Sequence, residues 1–209
     1  MKDTVASLLA RAAVYMLIMA GMAHLVMLEG YSERTSAEYS ERSLTEWLQI
    51  VSALVSGICF LVVAWLNRAL RPVAVMLAAL TCTMFIREAD FFLDARVFDG
   101  AWQVLVTLVF VAMGIYLWRQ PDSIADSVRS YSQQPSSGIL LSGILVTFVY
   151  SRLFGHGEFW QAVMGDGYQR VVKNIAEEGT EMAGYCLFVI AALELVFVSL
   201  SRVRIRERS

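Results

Sequence analysis

The sequence predicts an all-α integral membrane protein: a six-transmembrane-helix bundle, one polytopic domain over 1–209, with both termini cytoplasmic. Three observations predict it. First, the chain of 209 residues is 57% hydrophobic and 17% charged, with mean hydropathy +0.57, whereas a soluble domain is about 45–50% apolar and about 25% charged. Second, the excess lies in blocks of about 20 residues, the length that crosses a hydrocarbon core as helix. Third, Lys and Arg divide unevenly between the flanks of those blocks, which sets orientation.

The blocks run over 11–28, 44–66, 73–94, 101–118, 138–154 and 168–201. Residues 1–10 read as a short lead-in helix on the membrane surface. A cleavable leader ending near Gly21-Met22-Ala23 is the competing reading, and Asp3 spoils its basic start. The loop from Glu29 to Ser43 is polar and acid-rich. Ser43-Leu44-Thr45-Glu46 has capping-box spacing and opens the second helix. Pro72 suits the first turn of the third, where its missing N–H costs nothing. Trp102 and Trp118 bracket the fourth as interface anchors. Arg119 to Ser137 reads as a polar loop with Pro121 and Pro135. After the fifth block, Gly155-His156-Gly157 breaks the helix, Glu158 to Met164 forms an interfacial segment with Trp160, and Gly165-Asp166-Gly167 turns the chain into the sixth helix.

One set of flanks holds Lys2, Arg68, Arg71, Arg119, Arg129 and the tail arginines Arg202, Arg204, Arg206 and Arg208. The other holds Arg34, Arg42, Arg96, Arg170 and Lys173, diluted by acids. The first set is therefore expected on the cytoplasmic side, in a bacterial inner membrane. Small residues recur four apart at Ser52/Ser56, Ala53/Gly57, Gly138/Ser142 and Ala176/Thr180/Gly184, a pattern that lets membrane helices pack closely.

This topology gathers the membrane-associated charge in one depth band on the non-cytoplasmic side. Glu46 and Gln49 enter it on helix two, Arg87, Glu88, Asp90 and Asp94 on helix three, Arg152 and His156 on helix five, and Glu177, Glu178 and Glu181 on helix six. His24 and Glu29 lie at the end of helix one. Arg87, Asp90 and Asp94 share a face, with Glu88 about 100° away, and Glu178, Glu181 and Tyr185 share another. Glu177 reads as the bystander. Charges facing lipid would cost about 2.5–3.5 kcal/mol each at the centre of the core, so an inward pocket is expected.

Plainer readings stand beside these. Glu46 completes a capping box, Arg87 and Arg152 serve as structural ion-pair partners, both histidines pack at the interface, and Glu194 pairs with Arg11 on the cytoplasmic half. Counted together, the acids outnumber the bases within the band. Raised carboxyl pKa values or a bound cation would relieve that repulsion. Asp90, Asp94, Glu178, Glu181, Glu46 and His156 are the candidate ligands of a divalent metal ion of unspecified identity. Arg87 and Arg152 would balance charge or bind an anion, with Glu88, Glu177, Tyr185 and Gln49 secondary.

Three function classes follow. The first is a protein whose acidic, cation-binding pocket serves transport or sensing. The second is a membrane enzyme, possible as a metal-dependent one, acting on a lipid or lipid-linked substrate at headgroup depth. The third is a non-catalytic assembly subunit whose acidic segment from Tyr31 to Arg42 meets a partner. The lipid bilayer is a partner in all three, and a homo-oligomer or a second membrane protein is compatible with each. A net charge of −2 gives no nucleic-acid footprint. Cys59, Cys82 and Cys186 lie inside apolar blocks without metal-ligand spacing. Walker A, GxGxxG, GxSxG, HExxH and Glu-x-x-His patterns are absent from the sequence.

Overall fold

The computed structural model describes residues 5–31 and 43–208. Its regular structure is helical: α1 (Val5–Tyr31), α2 (Leu44–Leu66), α3 (Arg71–Glu88), α4 (Asp90–Arg96), α5 (Ala101–Trp118), α6 (Pro121–Ser132), α7 (Pro135–Leu145), α8 (Ser151–Phe154), α9 (Gly157–Met164) and α10 (Arg170–Arg208). A π-helical turn, Val146–Tyr150, joins α7 to α8, so that Pro135–Phe154 forms one span. Among the described residues, five helices are long and apolar enough to cross a membrane, and α3 with α4, bent by 60°, makes a sixth if the pair is one span.

The chain divides into two compact units. The first comprises Met1–Trp47 with Gly143–Cys186, the second Leu48–Ser142 with Leu187–Ser209. In the first, α1 is continuous from Val5, so residues 5–10 are not a separate surface helix. Their sequence, Val-Ala-Ser-Leu-Leu-Ala, offers no breaker, and the helix simply extends. Of the acidic partner segment expected from Tyr31 to Arg42, all but Tyr31 lies outside the described residues.

The N-terminus of α2 shows the expected cap: Ser43 Oγ accepts from the Glu46 N–H at 3.1 Å. A second acceptor, not read from the sequence, is Glu29. Its carboxylate takes the Leu44 N–H (2.5 Å), the Thr45 N–H (2.9 Å) and the Thr45 hydroxyl (2.6 Å). Free N–H groups and the helix dipole both favour an acceptor there, and the Glu29 side chain that supplies it is buried.

In the second unit the core is built from Phe60, Val63, Leu70, Ala74, Phe188 and Leu195. Pro72 stands in the first turn of α3. The polar stretch expected as a loop contains α6, an amphipathic helix whose Ser127 Oγ accepts from the Val73 N–H at 3.2 Å. Pro121 and Pro135 begin helices rather than interrupting them, as the missing N–H permits. Tyr131 closes the α6–α7 turn against Ser136 (3.3 Å), and Ser136 Oγ donates to the Ala191 carbonyl at 2.7 Å. Burial pushes the Tyr131 phenol above its ordinary pKa, and the Ser136 hydrogen bond opposes this in part.

The third predicted helix does not run straight to Asp94. It ends at Glu88, and α4 begins at Asp90 in a new direction. No proline or glycine lies at Ala89, so periodicity alone carries the helix through the bend.

Candidate functional site

Within the first unit, α10 presents Lys173, Glu177 and Glu181 four residues apart, and therefore on one face. That face meets α8. Arg152 Nη2 lies 2.7 Å from Glu181 Oε1 and Nη1 lies 3.4 Å from Glu177 Oε1. Lys173 Nζ closes the row at 2.5 Å from Glu177 Oε2. Ser151 Oγ contacts Glu181 Oε1 at 3.2 Å while donating to the Thr147 carbonyl at 2.6 Å. Glu181 and Ser151 are buried, whereas the Arg152 side chain is 63% exposed. The result is a carboxylate pair, Glu181 buried and Glu177 beside it, bridged by one guanidinium that is exposed at the protein surface.

Two glycines permit this approach. A Cβ at Gly155 would run into the Glu177 carboxylate, and a Cβ at Gly184 would run into Thr147 Oγ1. The second contact sets the π-helical turn directly against α10. Insertions of this kind recur at functional sites because they redirect the side chains that follow, here Ser151 and Arg152.

The aromatic end of this span forms a second feature. Tyr150, Leu153, Phe154, His156 and Phe159 line an apolar cavity of about 380 Å³. Trp160 Nε1 donates to the Phe154 carbonyl at 2.6 Å, and its ring sits 6.3 Å from that of Phe154. The segment expected over Glu158 to Met164 is a helix, α9, tied to the preceding span by its tryptophan. His156 precedes α9 as an exposed residue on the cavity wall.

The other candidates take different places. Glu178 is half-buried and engaged, and Tyr185 is buried and engaged. Glu46 is half-buried at the start of α2. In the second unit, Arg87 pairs with Asp90 across the Ala89 break, and its guanidinium lies 4.8 Å over the Trp102 ring. Asp94 Oδ1 accepts from the Gly100 N–H at 3.1 Å, which holds the α4–α5 connection. The bend removes the common face expected for Arg87, Asp90 and Asp94. Glu88 is half-buried and Gln49 buried, and both are engaged.

One expectation is thereby corrected: Glu177 is no bystander, because it receives both Lys173 and Arg152. The i, i+4 spacing of Lys173 and Glu177 is a readable signal for the first of these pairs, and the acids still outnumber the bases in the band. Ser151 had no such signal, since its role comes from the π-helical turn. Among the described residues, no group of three His, Cys, Asp or Glu side chains is placed to hold a metal ion. Comparison with protein-family models, curated proteins and solved structures finds no match to this chain.

Proposed function

We propose that this helical membrane protein handles a small cation, the proton, at the Glu177–Glu181 pair, with Arg152 and Lys173 as built-in counter-charges. The observation that carries the reading is the Arg152–Glu181 pair, a buried carboxylate whose cationic partner is exposed at the protein surface. Protonating Glu181 removes the nearer of the two charges that hold Arg152, so one proton is coupled to loosening of the guanidinium toward Glu177. A divalent metal fits less well, because Lys173 and Arg152 already occupy the approach to these oxygens. Such a coupling serves transport or sensing. The Lys/Arg bias supports an inner-membrane orientation with both termini cytoplasmic and this cluster on the opposite side.

The test is infrared difference spectroscopy of purified protein across a pH jump. A protonated-carboxyl band is expected in the native chain and absent in Glu181→Gln. A native chain with no such band, or a band that Glu181→Gln leaves intact, would overturn the reading. If Glu181→Gln and Arg152→Ala lower stability without altering proton uptake, the cluster is purely structural.

A second reading is supported by the apolar cavity beside α8. Its aromatic wall, with His156 at the edge and exposed Arg152 on the same short helix, suits a lipid chain and anionic headgroup. Native mass spectrometry with phosphatidylglycerol against phosphatidylcholine would separate it: selective retention that Arg152→Ala abolishes supports the lipid reading, and equal retention opposes it.

A further inference from the structure

A second cavity of the first unit, about 170 Å³, lies between α1 and α10. Met19 and Met22 of α1 and Met182 and Cys186 of α10 line it, alongside the small residues Ala23, Gly179 and Ala183. The spacings are i, i+3 on one helix and i, i+4 on the other, so each pair projects from a single face. Four sulfur-bearing residues therefore line one space, and Met182 and Cys186 are buried. Methionines often fill irregular gaps. Here, however, the sulfur-bearing residues line a space that stays open, and apart from Val26 the other lining residues are too small to close it.

We infer that this cavity is a binding site for a soft monovalent d¹⁰ cation, copper(I) in the first instance, held by the Cys186 thiolate and the thioethers of Met19, Met22 and Met182. Thioether and thiolate donors select copper(I) over hard cations. Charge makes the same choice. Binding replaces the thiol proton: Cys186–SH and Cu⁺ give Cys186–S–Cu and H⁺, without change of oxidation state. The thiolate and the monovalent ion sum to zero, so no net charge enters an apolar environment. A divalent ion on the same donors would leave a positive charge there, which is costly. The site shares no ligand with the carboxylate cluster and stands independently of the proton reading.

The test is anaerobic titration of the full-length protein in detergent with copper(I), using bathocuproine disulfonate as the competing chromophore. One copper per chain is expected, with an all-sulfur shell in X-ray absorption and displacement by silver(I) but not by zinc(II). Cys186→Ser should weaken binding at least tenfold, as should Met22→Leu combined with Met182→Leu. Those methionine replacements conserve volume and keep the question open if Cys186→Ser fails to fold. Cys59→Ala with Cys82→Ala should leave binding unchanged. The inference is overturned if the native chain takes up no copper(I) against the competitor. It is equally overturned if the methionine variant binds as tightly as the native chain, or if binding follows Cys59 and Cys82 instead.

Discussion

Gly184 and Gly155 look alike in the sequence but differ in what opposes them. At Gly184 an added methyl meets Thr147 Oγ1 and lies 3.0 Å from the Thr147 backbone nitrogen, which cannot rotate away. At Gly155 it meets the tip of Glu177, a flexible side chain. Gly184→Ala should therefore cost about 1–3 kcal/mol, the range of overpacking, and Gly155→Ala less. Thermal unfolding in detergent would rank the two, and a larger loss at Gly155 would contradict this packing. The same residue-scale logic explains what was legible at the site. The i, i+4 row of Lys173, Glu177 and Glu181 is written in the spacing, whereas the partners Ser151 and Arg152 are chosen by the direction of another helix.

At the scale of elements, helix ends carry the testable physics. Glu29 serves the first N–H groups of α2 from outside that helix. Replacing it by Ala should lower stability by about 0.5–2 kcal/mol, as loss of a cap does, and Glu29→Gln should lose less because one acceptor remains. Unfolding temperatures of the two variants would check the order. The α6–α7 turn makes a pH prediction. Tyr131 is neutral and its folded pKa is raised by burial, so the unfolded chain releases this proton first. Its contribution is fully present below the ordinary phenol value of about 10 and declines as pH rises above it. The alkaline decline should be shallower in Tyr131→Phe, measured as unfolding temperature against pH. An unchanged slope would remove Tyr131 from that role.

For the whole molecule, the bent pair α3–α4 decides the topology. If the pair crosses as one broken span, six crossings return the C-terminus to the side of the N-terminus; if it does not, five separate them. The Lys/Arg distribution favours the first case. Reporter fusions at the two termini should both score as cytoplasmic, and opposite scores would turn α3–α4 into a re-entrant element. α10 adds a length argument. Its 39 residues extend about 58 Å at about 1.5 Å per residue, well beyond a hydrocarbon core of about 30 Å. Its first turns therefore carry Lys173 and Glu177 ahead of the apolar run from Met182 to Leu200.

The helical membrane class, the approximate spans and the polar end of α10 are determined by the sequence alone. They follow from local quantities, hydropathy over a window and the 3.6-residue repeat, which require no knowledge of neighbours. The pairings were decided only by the tertiary structure. That Arg152 reaches Glu177 and Glu181, that Glu29 caps α2, where α3 bends and which sulfur-bearing residues share a cavity are not written in local spacing. Single residues at those contacts, Gly155, Gly184 and the π-helical turn before Ser151, set the approach. A shift of one turn or one methyl group there redirects a side chain, and the periodicity of the apolar blocks does not register it.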